Sequence, residues 1–242
     1  MGKKGKWDGK GYDSETINSP NIFARFSHRR RIEGVLRHVS KRLDSGKILD
    51  YGCGSGVLIS KLNGLKADCA VGYEPFMETG REKNLPIYDD YAAILDKAPY
   101  STITILEVLE HVGWGEMSNV FAKFIELLAP NGMVLASVPI EIGPAVLLKH
   151  FNRLKWGSQK NEKSKQMGTH NNIFELISAA FFGAVGYRDP LKGGHTNFDF
   201  RHLIQFARSQ GWKVKILGYS PIPFIGWYGN SQVFFTMERQ GS

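Results

Sequence analysis

The stretch Lys47–Leu62, KILDYGCGSGVLISKL, constrains this chain more than any other. Ile48 and Leu49 read as the apolar end of a buried strand, and Asp50 stands where that strand stops. Gly52, Gly54 and Gly56 then alternate with Tyr51, Cys53 and Ser55. From Val57, apolar residues return at helical spacing, at Leu58, Ile59 and Leu62. The pattern is strand, glycine turn, helix. Three alternating glycines let the backbone take positive φ and let a ligand lie against the main chain. The helix that follows aims its open N–H groups and positive dipole end at the turn, which makes a seat for a carboxylate or a phosphate.

Spacing separates the cofactors this turn could serve. A dinucleotide site carries G-x-G-x-x-G at the start of a βαβ unit. Here the third glycine comes one residue early, and Val57 stands where that pattern has glycine. This argues against an NAD-dependent oxidoreductase. The form Asp50-x-Gly52-x-Gly54-x-Gly56 instead resembles motif I of the class I S-adenosylmethionine (SAM) methyltransferases.

A second signal lies some 55 residues on. Ser101–Leu106 is a β-branched strand, followed by Glu107-Val108-Leu109-Glu110-His111-Val112. This segment is similar to the one after the fourth strand in ubiquinone/menaquinone-type and related small-molecule methyltransferases. The resemblance covers roughly residues 45–141 and, more loosely, 195–238. It implies an α/β fold: a doubly wound, Rossmann-like, seven-stranded sheet whose last strand is antiparallel. An N-terminal helical segment and a lid insertion would flank it. The expected organisation is an arm and helices over 1–46, a SAM-binding core over 47–141, a substrate lid over 142–195, and the C-terminal part of the sheet over 196–242.

Ile32, Val35, Leu36, Val39 and Leu43 give residues 21–44 a helical apolar face. Within that segment the run Arg29–Arg31 is either a phosphate grip or a solvated helix face. A second strand, Ala70–Tyr73, ends at Glu74, whose two carboxylate oxygens suit a pair of ribose hydroxyls. A short helix is expected over 76–84, then a weak third strand at LPIY. Asp89 and Asp90 follow it, and the resemblance implies that an acid there holds the adenine amino group. Either could do so, and one of them is a candidate N-cap for the next helix. Further elements are expected as a helix over 116–129, a strand over Gly132–Val138 after a Pro130-Asn131-Gly132 turn, a helix over 198–210 stopped by Gly211, and strands Trp212–Tyr219 and Ser231–Glu238.

The resemblance assigns roles. SAM is the implied cofactor. Asp50 would face its ammonium, with the backbone of Gly52, Cys53, Gly54 and Gly56 passing beneath. Glu74 would take the ribose, and Glu107 and Val108 would lie near the sulfonium and the adenine edge. A hydroxyl or ammonium acceptor must also lose a proton, and a histidine titrates in the right range to take it. His111, just past the fourth strand, is the first candidate base, and His195 the second. No metal site is indicated, because the histidines show no ligand spacing.

Charge and cysteines bound the rest. The net charge of +8 is uneven: +6 over residues 1–46, +5 over 142–195, and −3 over the remainder. Basic flanks suit an anionic substrate, a nucleic acid, a membrane surface, or simply a solvated face. Cys53 and Cys69 form neither a disulfide framework nor a metal pair, so both are expected reduced in a cytoplasmic protein. No apolar run approaches the ~20 residues of a transmembrane helix. The expected partner is a small or lipid-linked acceptor, oxygen ahead of nitrogen or carbon; the aromatic loop SPIPFIGWYGN is either a hydrophobic pocket wall or a surface for peripheral membrane contact. A tRNA or rRNA methyltransferase and a non-catalytic SAM-binding protein are the rivals, and the oligomeric state stays open. No base-amino Asn/Asp-Pro-Pro-Tyr motif or RNA-binding module supports the nucleic-acid reading.

Overall fold

A computed structural model of the chain describes residues 7–8, 22–79, 84–150, 172–189, 195 and 197–239. Most of the N-terminal arm and the polar segment 157–165, with His170, lie outside these residues. The strands are β1 (Trp7–Asp8), β2 (Ile48–Tyr51), β3 (Ala70–Tyr73), β4 (Met77–Thr79), β5 (Ile87–Tyr88), β6 (Tyr100–Leu106), β7 (Leu128–Pro139), β8 (Trp212–Ser220) and β9 (Gln232–Arg239). The helices are α1 (Ile22–Val39), α2 (Val57–Leu65), α3 (Tyr91–Leu95), α4 (Trp114–Leu127), α5 (Ile173–Phe182) and α6 (Phe200–Ser209). Seven strands form one mixed sheet in the order β5-β3-β2-β6-β7-β9-β8, with the last strand antiparallel, a Rossmann-like α/β architecture.

The chain divides into two compact units. The first comprises Met1–Leu106, Phe121–Ala136 and Met237–Ser242. Its centre is β2, whose four residues are all buried because parallel strands flank it on both sides. From β2 the chain steps outward to β3 and β5, then returns to β6 on the other side. That reversal makes the crevice beyond β2 and β6 a topological switch point, where ligands of such sheets bind. Leu58, Ile59 and Leu62 of α2 are buried, as are Ile32, Val35 and Val39 of α1.

The second unit comprises Glu107–Val120 and Ser137–Thr236. Asn172 caps α5 by accepting from the Glu175 N–H at 2.9 Å, and Asp199 caps α6 by accepting from the Arg201 N–H at 2.9 Å. Phe200, Leu203, Ile204 and Ala207 bury one face of α6 at helical spacing, and Gly211, at φ +81°, follows its end. β8 and β9 form a hairpin whose base is closed by the Ser231 N–H donating to the Ser220 carbonyl at 2.9 Å.

Two expectations change. The helix expected over 76–84 is not formed at its start, because Met77–Thr79 pairs as a parallel strand with Trp7–Asp8 of the arm. Ladder hydrogen bonds from a distant segment replace a short helix that opens just after a proline and has little intrinsic stability. β7 begins at Leu128, earlier than the turn residues suggest, and runs through the exposed Pro130 and Asn131.

Candidate active site

In the first unit the glycine turn takes the backbone form its composition requires. Gly52, Gly54 and Gly56 have φ of +79°, +56° and +95°. Gly56 is the N-cap of α2 and offers no side-chain cap. The N–H groups of Gly52 and Cys53 donate to the Tyr73 carbonyl at 2.8 and 3.2 Å, which ties the turn to β3. Gly72 allows this approach: a Cβ there would lie 2.6 Å from the Cys53 Sγ.

Asp50 and Glu74 stand at the ends of β2 and β3 and are both buried. Thr104, the register partner of Asp50 on β6, donates to its Oδ1 at 2.7 Å. Burial pushes the Asp50 carboxyl up to about 7; the Thr104 hydroxyl opposes the shift and the Glu74 charge adds to it. The Glu74 carboxylate receives the Gly54 N–H on Oε2 and the Phe76 N–H on Oε1, each at 3.2 Å. This fixes its plane beside the turn.

A solvent-open cleft lies against Asp50, Gly52 and Cys53. Its other wall includes His28 and Arg31 of α1. Burial first, and the Arg31 charge second, lower the His28 pKa to about 4, so this imidazole is neutral at pH 7. The arginine run thus splits: Arg29 and Arg30 pair with Glu33 at the surface, and Arg31 faces the cleft. Asp89 and Asp90 are both exposed. Asp90 is the N-cap of α3, accepting from the Ala92 N–H at 3.1 Å. Cys53 and Cys69 are not disulfide-bonded.

In the second unit the segment after β6 begins with Glu107 at φ +56°, a conformation rare for a residue with a side chain. It is held there by the Glu107 N–H donating to the Ser137 carbonyl at 2.9 Å and the Ser137 hydroxyl donating to Glu107 Oε1 at 3.2 Å. Val108 precedes a 3₁₀ turn, Leu109–His111, that buries Glu110 fully and leaves His111 near the surface. His111 and His195, 84 positions apart, stand edge to face with ring centroids 5.1 Å apart. His111 Nε2 is 3.8 Å from Glu110 Oε1, and His195 Nδ1 is 3.3 Å from Oε1 of the buried Glu141. Lys149 lies 3.3 Å from that same oxygen and donates to the Ile140 carbonyl at 2.7 Å. Arg188 donates to the Glu110 carbonyl at 2.6 Å and rests on the Phe198 ring, 4.8 Å from its centroid.

Residues 23–179 match the methyltransferase-domain family. The chain belongs to that family. It is a SAM-dependent methyltransferase, and SAM is its cofactor. Solved structures show the same fold at low identity. One is a magnesium protoporphyrin IX methyltransferase from Synechocystis PCC 6803 with bound S-adenosylhomocysteine (TM-score 0.56, 14% identity, 96% of each chain covered). Another is a SAM-dependent methyltransferase from Archaeoglobus fulgidus (TM-score 0.52, 12% identity, 90% of this chain and 100% of that one). A third is the plantazolicin methyltransferase in complex with a pentazolic desmethyl analogue and S-adenosylhomocysteine (TM-score 0.50, 12% identity, 96% and 89% covered). No curated protein matches the chain.

The first unit of the methyltransferase therefore gathers Asp50, the three glycines, Cys53 and Glu74 at one end of its strands. Its second unit brings His111 together with His195. Sequence reasoning did not find Thr104, His28, Glu141 or the convergence on Glu110. Thr104 follows from the β2–β6 register, and Glu110 was adjacent to a named candidate. Among the described residues no helix is long and apolar enough to cross a membrane.

Proposed function

We propose that this methyltransferase moves the SAM methyl group to an oxygen of a small or lipid-linked acceptor. The observation that carries the cofactor half is the buried pair Asp50 and Glu74 flanking a turn of three positive-φ glycines. In this reading Asp50 receives the methionine ammonium, the Gly52–Gly56 backbone underlies the amino-acid tail, and Glu74 takes the ribose hydroxyls. Asp89 or Asp90 serves the adenine amino group, and Asp90 also caps α3. Glu107 and Val108 follow directly on Leu106, which lines the cleft, and flank the sulfonium.

The chemistry is an in-line displacement. The acceptor oxygen forms a bond to the methyl carbon as the S–CH₃ bond breaks, and its electron pair stays on sulfur, giving S-adenosylhomocysteine. The sulfonium supplies the driving force, so the protein mainly aligns the nucleophile about 3–3.5 Å from the methyl carbon. The acceptor's proton must also leave, and His111, then His195, is the group to manage it.

An apolar acceptor is supported by the second unit's surface. Phe174 and Phe182 of α5 are each 80% exposed, and Phe224 in the β8–β9 loop is 88% exposed. Such a surface suits a lipid-linked acceptor met at a membrane from the cytoplasmic side. The test is labelled-methyl SAM offered to cell extract split into lipid, sugar, nucleic-acid and protein fractions. Label in the lipid or small-molecule fraction is expected. Label in tRNA or rRNA, falling steeply with salt, would replace this reading with the nucleic-acid one.

A further inference from the structure

Arg188 is a half-buried cation whose hydrogen bonds are mostly unmade. Its Nη2 donates to the Glu110 carbonyl at 2.6 Å. Nε and Nη1 are shut off from solvent and have no hydrogen-bond partner. A guanidinium carries its N–H donors in a fixed fork, and a desolvated donor left unpaired is costly. Burial lowers the Arg188 pKa and the Glu110 charge opposes that through space, so the group stays positive at pH 7. Arg201 in the same unit shows the contrast: its Nε and Nη2 donate to the Asp199 carboxylate at 3.0 and 2.6 Å. We propose that Arg188 recognises the methyl acceptor by an anionic group, a carboxylate or a phosphate. The inference rests on the oxygen-acceptor reading and names the class of acceptor.

Position argues for this role. The carbonyl that Arg188 grips belongs to the peptide joining Glu110 to His111, the first candidate base. One small acceptor can therefore set its hydroxyl at His111 and its anionic group at Arg188. The guanidinium carbon lies 4.8 Å from the centroid of the Phe198 ring and 5.8 Å from that of Trp114. Phe198 is fully buried, so it is a fixed wall. A planar fork packed on aromatic rings keeps its orientation and can meet two oxygens of a carboxylate or a phosphate at once.

The energetics agree. Neither unpaired nitrogen touches solvent here, so an arriving anion has to turn the side chain slightly to reach them. What resists that turn is one hydrogen bond to a neutral carbonyl. Charge-assisted bonds to an anion are roughly twice as strong, so the exchange is favourable. The sequence segment 142–195, to which Arg188 belongs, carries +5 and draws anions from solution.

The test uses the full chain, labelled-methyl SAM, and the lipid and small-molecule fractions of cell extract. Labelled products are passed over an anion exchanger at about pH 8 and again at about pH 2.5. Retention at the higher pH is expected. Retention lost at the lower pH identifies a carboxylate, and retention kept there identifies a phosphate. Arg188→Met should raise the amount of fraction needed for half-maximal rate at least about tenfold, and Arg188→Lys should raise it less. Both variants should bind SAM as wild type does in calorimetry. Lys213→Met, which removes an exposed cation of β8, should leave the acceptor dependence unchanged. A mere clamp on the turn would lower the maximal rate or the stability without moving the half-saturating amount. Arg188→Met with wild-type half-saturation overturns the proposal. Labelled products that pass the exchanger uncharged at about pH 8 sink this inference alone, whereas no label in either fraction sinks the oxygen-acceptor reading beneath it.

Discussion

Asp50 makes SAM binding a proton-linked event, and the size of the effect follows from its burial. In the ligand-free protein its carboxyl titrates near 7. At pH 6 about nine-tenths of the molecules carry that proton, and at pH 8 about one-tenth. The incoming ammonium favours the carboxylate, so binding expels the proton that is present. Binding at pH 6 should release about 0.9 proton per site. Apparent affinity should rise about tenfold between pH 6 and pH 8, worth about 1.4 kcal/mol. The neighbouring His28 does not blur the reading, because with a pKa near 4 it stays neutral at pH 6.

Linkage also fixes the sign for stability. A carboxyl whose folded pKa is raised stabilises the fold below its unfolded value. That contribution is lost as pH climbs from about 4 to about 7. Ligand-free protein should therefore weaken across that window, and SAM should restore it. The assay is isothermal calorimetry at pH 6 in buffers of different ionisation enthalpy, whose slope counts protons. A slope of zero, or an Asp50→Asn variant that releases as many protons as wild type, would refute the reasoning.

Thr104→Val removes the hydroxyl that holds the Asp50 pKa down, so the pH of half-maximal proton release should move upward in the same calorimetric series. Losing that partner should also cost about 1–3 kcal/mol in urea unfolding. Gly72→Ala would place a methyl 2.3 Å from Ile59 Cδ1 and 2.6 Å from Cys53 Sγ. It should cost about 1–3 kcal/mol in urea unfolding and weaken SAM binding by displacing the turn. Phe174→Ser and Phe182→Ser, at exposed positions of α5, should leave unfolding within about 0.5 kcal/mol of wild type. The same pair should lower co-sedimentation with anionic vesicles, and unchanged co-sedimentation would count against a membrane-met acceptor.

What could be read in the sequence was whatever the backbone decides locally. The Gly52–Gly56 turn was legible because positive φ is a property of single residues, and all three glycines adopt it. The N-cap reading at Asp89–Asp90 was legible for the same reason, down to leaving two choices that the structure reduces to Asp90. Thr104 was not legible, since its contact with Asp50 depends on the register of two strands 54 residues apart. The strand at Met77–Thr79 was missed on the same ground: its partner lies about 70 residues upstream, and nothing in 76–84 announces it. His111 and His195 were each named for their place in the chain. Their approach to one another, and to Glu110 and Glu141, is a product of long-range folding alone.

One part of the site was legible and went unread. His28 stands four residues before Ile32, seven before Val35 and eleven before Val39, so it continues the same stripe that α1 buries. Arg31 stands four before Val35 and eight before Val39, at the border of that stripe. Arg29 points away, with a side chain 81% exposed and paired to Glu33. A helix turns about 100° per residue, so three consecutive arginines cannot share one fate. Treating Arg29–Arg31 as a single run hid this. Taken one residue at a time against the apolar stripe, the helix already separates Arg31 and His28 from the solvated Arg29; that this stripe borders the cleft at Asp50 is a product of the long-range fold.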